Sequence, residues 1–204
     1  MARTPQDPQI RINEILDAAD YLFFTKTYHK TTISDIAKKM GVAQGMLYYY
    51  FKSKEELLET LLERYASSWI AEIRTITALE CSPAEKIALT ISAVLKNASY
   101  KEGQLLNMLY DNQNLHIKDK LFRQIGIDLS PWLLKIIEEG INKQDFLIIH
   151  PPTAADYILI ITDALSEILY EKTSDEILSF RLRMAETLIE KILGTQEKTI
   201  HIIL

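Results

Sequence analysis

The sequence predicts an all-α fold in two unequal parts, a basic one over residues 1–54 and a larger acidic one over 55–204. Three observations carry this. Apolar residues recur at the 3.6-residue helical period along most of the chain, while strict alternation is scarce. Ser, Thr, Pro and Gly stand where helices would start and stop. Charge is split. Residues 1–54 carry eight Lys/Arg and five Asp/Glu, net +3, and the other 150 residues carry fifteen and twenty-three, net −8. The full length of 204 residues is enough to bury a sizeable core.

The elements follow in order. A first helix is expected from Pro8 to Phe24, because Ile12, Ile15, Leu16, Ala19, Leu22 and Phe23 share one face. Thr32 precedes Ile33, Ile36, Ala37 and Met40, with Asp35 three residues on. That is an acidic variant of the capping box, and Gly41 closes the short helix. A second short helix covers Ala43 to Tyr49. A longer one is expected from Ser53 to Thr77, opened by Ser53 and Glu56. Ser82-Pro83 starts the next. Further helices are expected over 84–99, 102–110, 115–124, 130–144, 153–170 and 174–193, with Ser130-Pro131 read as a start and Gly194 as the last stop. Phe146–His150 alone reads as extended.

Several function classes do poorly. One cysteine, Cys81, excludes an internal disulfide and any multi-cysteine metal site. His29, His116, His150 and His201 share no metal spacing, and the six glycines form no phosphate loop. The reading is therefore no enzyme, no cofactor and no metal. The longest apolar run, near Ile158–Ile161, is far below the roughly 20 residues that span a bilayer. The first ten residues, MARTPQDPQI, hold no apolar stretch, so no signal peptide and a cytoplasmic location are expected.

Residues 32–51, TISDIAKKMGVAQGMLYYYF, have the dimensions of a helix-turn-helix. Ile33, Ile36, Ala37, Val42 and Leu47 would face inward. The second helix would offer Gln44, Gly45, Tyr48 and Tyr49 outward, to a major groove wide enough for one helix. Gln44 can present donor and acceptor to a base edge. Tyrosine hydroxyls suit phosphates. Thr31, Thr32 and Lys54, near helix starts, are candidate phosphate contacts. Short helix pairs also occur in proteins that never touch DNA, and the aromatic run could be a buried cluster. Three consecutive tyrosines cannot all face inward on a helix, however.

The stretch Arg11 to Leu58 resembles the N-terminal domain of the TetR family of transcriptional regulators. The resemblance lies in the first-helix pattern, Tyr28, Thr31-Thr32, Asp35-Ile36-Ala37, Gly41-Val42, Gly45, Leu47-Tyr48, Tyr50-Phe51 and Lys54-Glu55. It implies an N-terminal three-helix helix-turn-helix domain, residues 1–54, joined to a larger helical ligand-binding and dimerisation domain, residues 55–204. It also implies a homodimer on a palindromic double-stranded DNA operator, usually a repressor, released by a small-molecule effector. By resemblance Thr32, Gln44, Tyr48, Tyr49 and Lys54 occupy DNA-contacting positions, while Gly45 and Leu47 are structural. Ala43 and Met46 depart from the small hydroxyl residues common in the family. Met46 can instead offer apolar contact to thymine methyls.

The last two helices are apolar over most of their girth, which suits a four-helix bundle with a second copy. Tyr157, Ile161, Leu165 and Ile168 are the candidate interface residues on one helix, and Leu178, Leu182, Ala185 and Ile189 on the other. Ile177, Phe180, Met184 and Leu188 form a neighbouring stripe. A thick monomeric core is the other reading. Candidate effector contacts are Trp69, Tyr100, Asn107, Met108, Tyr110, Phe122 and Trp132, and their composition favours an apolar or amphipathic molecule. The competing class is a helical dimeric module that binds small molecules or proteins without DNA.

Overall fold

The computed structural model describes residues 7–99, 103–111 and 114–204. The chain divides into two compact units, Met1–Tyr65 and Ala66–Leu204. The first holds α1 (Pro8–Lys26), α2 (Ile33–Met40), α3 (Gln44–Tyr50) and the start of α4 (Lys54–Ile76). The second holds the rest of α4, then α5 (Pro83–Ala98), α6 (Gln104–Leu109), α7 (Leu115–Asn142), α8 (Pro151–Glu171) and α9 (Asp175–Leu193). The all-α expectation holds.

In the first unit, α1 starts where Asp7 accepts a hydrogen bond from Gln9 N at 2.9 Å and Pro8 takes the first helical position. Its Ile15, Leu16, Ala19 and Phe23 are buried with Ile36 and Ala37 of α2, Leu47 of α3, and Leu57, Leu58 and Leu61 of α4. Arg64 reaches back to Asp17 at 2.7 Å, and the Tyr65 hydroxyl donates to Asp20, which holds the first turns of α4 along α1.

In the second unit, α5, α7, α8 and α9 enclose one core, with Ile87, Ile91 and Leu95 facing Leu133, Ile136, Ile137, Ile158 and Ile189. Ser82 and Glu85 form a full capping box at the start of α5. Phe146 presses on Gly140, where a Cβ would meet its ring at 2.1 Å, so that position has room only for glycine. The segment after it is irregular, and Leu147 N donates to Leu193 O at 2.9 Å. The buried Glu190 accepts from Thr199 N and Ile200 N, fastening the C-terminal segment.

One expectation fails. The helices expected at 115–124 and 130–144 are a single helix, with Pro131 inside it. The buried series Ile117, Leu121, Ile125, Leu129, Leu133, Ile137 continues at four-residue spacing across the proline. Pro131 and Ile127 lie on the exposed face, so water can take the carbonyl that the missing N–H leaves free. Core burial on the other face outweighs the local signal. Among the described residues no helix is long and apolar enough to cross a membrane.

Candidate nucleic-acid interface and internal cavity

The α2–α3 pair is built by local capping. Thr32 Oγ1 accepts from Asp35 N at 3.1 Å, and Asp35 accepts from Thr32 N at 2.8 Å. Lys26 adds an ion pair at 2.9 Å. Hydrogen bonds from Lys26 and then Thr32 hold the Asp35 carboxyl far below the usual range. Gly41, at φ 68°, turns the chain, with its N–H and that of Val42 closing on carbonyls of Lys38 and Ala37. Leu47 is fully buried and anchors α3. Ala43 offers α3 no side-chain cap.

This leaves a defined outer face on α3. Tyr49 is 81 % exposed and Tyr48 50 %, and Gln44 and Gly45 are exposed beside them. Met46 is half-buried. A Cβ on Gly45 would meet open space. The expectation that Gly45 is structural is therefore corrected, since among the described residues no neighbour requires a glycine there.

Two expected contacts find other partners. Thr31 is 1 % exposed, and its hydroxyl bonds the carbonyls of Thr27 at 2.8 Å and Leu22 at 3.2 Å. Its hydroxyl ties the turn to the end of α1 and is not presented outward. The Lys54 ammonium donates to the carbonyls of Tyr28 at 3.0 Å and Thr31 at 3.1 Å, and lies 4.2 Å from the Tyr28 ring centre. Burial pushes its pKa down, and burial followed by Glu55 pushes the Tyr28 hydroxyl up to about 12. The ammonium therefore acts as a cap on the α1–α2 turn. Lys30 and Lys52, passed over in the sequence, are exposed on either side of the motif.

The second unit contains a cavity of about 280 Å³, open on one side, among α4, α5, α6, α7 and α8. Trp69 and Phe122 line it as expected. Asn107 is exposed, while Met108, Tyr110 and Trp132 pack elsewhere. Tyr100 lies outside the described residues. The corrected wall is aliphatic, with Val94, Leu109, Ile125, Leu129 and Leu159, and the space comes from small residues, Ala98, Gly126, Thr162 and Ser166. Missing volume makes a cavity, so a search for aromatic residues misses most of the wall. Its polar signal was the pair Thr162 and Ser166, one turn apart in an apolar helix.

Four polar side chains touch the cavity: Arg123, Thr162, Asp163 and Ser166. Thr162 Oγ1 donates to Ile158 O at 2.8 Å and Ser166 Oγ to Thr162 O at 3.1 Å. Asp163 is exposed as a residue, and partial burial of its carboxyl raises its pKa. Lys118 works against that rise, while Glu167 and Asp119 add to it. Near this end the Tyr110 ring stacks on Tyr170 at 4.6 Å, and its buried hydroxyl finds no hydrogen-bond partner among the described residues.

Most residues expected at a docking face lie in or against the chain's own core. Leu165, Ala185 and Ile189 are buried in their own core, and Ile161, Ile168 and Leu182 are half-buried against it. Leu178 is also half-buried, and of the expected set only Tyr157 is exposed. The exposed apolar residues are Tyr157 and Ile160 on α8, and Ile177, Phe180, Met184 and Leu188 on α9. Filling the core of the own chain takes one apolar stripe and leaves its neighbour outside.

These features define a helix-turn-helix protein whose second helical unit contains a cavity. Residues 15–61 match the family model for bacterial regulatory proteins of the tetR family. The Fatty acid metabolism regulator protein of Bacillus subtilis is 30 % identical over 133 residues, covering 65 % of this chain and 63 % of that protein. The HTH-type transcriptional repressor KstR2 of Mycolicibacterium smegmatis is 28 % identical over 116 residues, 57 % of this chain and 56 % of its own length. The chain thus spans about 60 % of the length of these relatives. A crystal structure of a TetR/AcrR-family regulator from Thermobifida fusca shares the fold, with a TM-score of 0.66 at 22 % identity over 86 % of this chain and 96 % of that one. Residues 15–61 thus match the DNA-binding segment of tetR-family regulatory proteins, and the described chain has the fold of solved members of that family.

Proposed function

We propose that this protein is a ligand-responsive transcriptional repressor that binds a palindromic operator as a homodimer and releases it when a small molecule fills the cavity. Residues 1–54 form the operator-binding domain and residues 55–204 the effector-binding and dimerisation domain. The observation that carries the reading is the outer face of α3, where Gln44, Tyr48 and Tyr49 stand exposed on a helix anchored by Leu47. Gln44 reads a base edge, the tyrosines reach sugar and phosphate, and Met46 touches thymine methyls at the margin. Thr32 and the exposed Lys52 supply phosphate contacts. The two-fold mate docks on Tyr157, Ile160, Ile177, Phe180, Met184 and Leu188. The protein acts in the cytoplasm, where its operator is.

The effector has an apolar body, as the wall composition and the 30 % identical relative named for fatty acid metabolism both support. Helix α4 links the two functions within one element, because it carries Leu57, Leu58 and Leu61 in the first core and Trp69 in the cavity wall. Selection on random duplexes tests the reading. It should enrich a palindrome with half-sites about one helical turn apart, roughly 34–36 Å. No enriched palindrome at moderate salt would leave a ligand-binding module without DNA. A true effector should raise the melting temperature and weaken operator binding, and by linkage operator DNA should weaken the effector.

A further inference from the structure

The cavity's polar groups are mostly acceptors. Thr162 is 5 % exposed and Ser166 0 %, and each spends its only hydroxyl proton on a backbone carbonyl of its own helix. What each turns to a ligand is oxygen lone pairs. Asp163 lies beside them on α8, and among the described residues its carboxylate makes no hydrogen bond or close ion pair. The groups acting on it are Lys118, Glu167 and Asp119, and Arg123 stands exposed at the cavity edge. Three carboxylates thus face two cations. Lys118 is also shared, since its ammonium sits 4.4 Å from the Tyr110 ring centre and 3.9 Å from Asp119. The field at this end favours a cation and opposes an anion.

We propose that the effector is an amphipathic amine, with its hydrocarbon body against Trp69, Leu109, Phe122 and Leu129 and its protonated nitrogen on Asp163. The ammonium donates to the Asp163 carboxylate and to the lone pairs of Thr162 and Ser166. An alcohol offers one donor and no charge. A carboxylate brings a fourth anion to an end where three carboxylates already face two cations. This inference rests on the reading of the cavity as the effector site.

Calorimetric titration of the full-length protein with decylamine, decan-1-ol and decanoate, each below its aggregation concentration, separates the two. Decylamine should bind at least tenfold more tightly than the alcohol, and the acid least tightly. Asp163→Asn should erase the amine's advantage and leave the alcohol unchanged. Ala98→Phe, which fills the cavity, should abolish binding of all three, with circular dichroism confirming that both variants are folded. If the alcohol or the acid binds as well as the amine, or the amine keeps its advantage in Asp163→Asn, the amine assignment is wrong and the cavity reading stands. If none of the three binds, or Ala98→Phe leaves binding intact, the cavity reading falls and the amine assignment with it.

Discussion

Gly45 and Lys54 show how a residue's role depends on what surrounds it. Gly45 meets open space, yet glycine is a poor helix former. Its value lies in what approaches from outside. Gly45→Ala should raise folding stability by up to about 0.5–1 kcal/mol, from backbone entropy. The same change should weaken operator binding, because the new methyl group stands on the face proposed to enter the groove. Thermal melts and fluorescence anisotropy check the two halves, and an unchanged operator affinity would make Gly45 incidental. Lys54 and Lys52 differ in the opposite sense. Lys54→Ala removes two hydrogen bonds to carbonyls and a ring contact, and should cost about 1–2 kcal/mol of stability with little change in salt dependence. Lys52→Ala should leave stability alone and flatten the salt slope of operator binding by about one unit. If Lys54→Ala instead lowers the slope and not the melting temperature, the ammonium leaves its turn to meet phosphate.

Among the elements, α7 and α9 repay comparison. In α7 an interior proline is held by burial on both sides of it, with Ile125 and Leu129 before and Leu133, Ile136 and Ile137 after. Pro131→Ala restores an N–H for the Ile127 carbonyl and should stabilise the protein by about 1–3 kcal/mol, seen as a higher denaturation midpoint. A lower midpoint would mean that a proline bend is needed for α7 to follow the core. In α9 two neighbouring stripes have separate duties. Ile189, fully buried, belongs to the core, and Ile189→Ala should cost about 2–5 kcal/mol of stability. Phe180 is 60 % exposed, so Phe180→Glu should leave the fold of one chain intact and yield monomers by sedimentation, with loss of operator affinity. Dimers that survive Phe180→Glu would move the interface elsewhere.

For the molecule as a whole, the pair of buried Lys86 and partly exposed Glu139 makes stability depend on pH. Lys86, 4 % exposed, meets Glu139 at 2.7 Å and the Thr77 carbonyl at 3.2 Å. Hydrogen bonds from Lys143 and then Lys86 hold the Glu139 carboxyl below its usual value near 4.5. A carboxyl depressed on folding stabilises fully above its unfolded pKa, and that stability is lost as pH falls through the folded value. Denaturation midpoints should therefore hold near neutrality and drop as pH falls below about 4.5. Glu139→Gln should destabilise at pH 7 and flatten this acid limb. An acid limb of unchanged slope would assign the dependence to other carboxylates.

The caps, the helical periods and the inward residues of the α2–α3 motif could be read from the sequence. Each is a relation between residues within about four positions, as Thr32 with Asp35 or Ser82 with Glu85 shows. The outward turn of Tyr48 and Tyr49 was legible for the same reason, since Leu47 between the motif's ends fixes which side is inside. The tertiary structure decided the rest. Thr31 and Lys54 have the residue types of phosphate contacts, but packing brings backbone carbonyls within their reach, and those carbonyls take their protons. Two stripes of α9 are equally apolar in sequence, and only the approach of α5, α7 and α8 selects which one is buried. The cavity was the least legible feature. It is volume among five helices that small residues on three of them fail to fill, so no single helix sequence contains it.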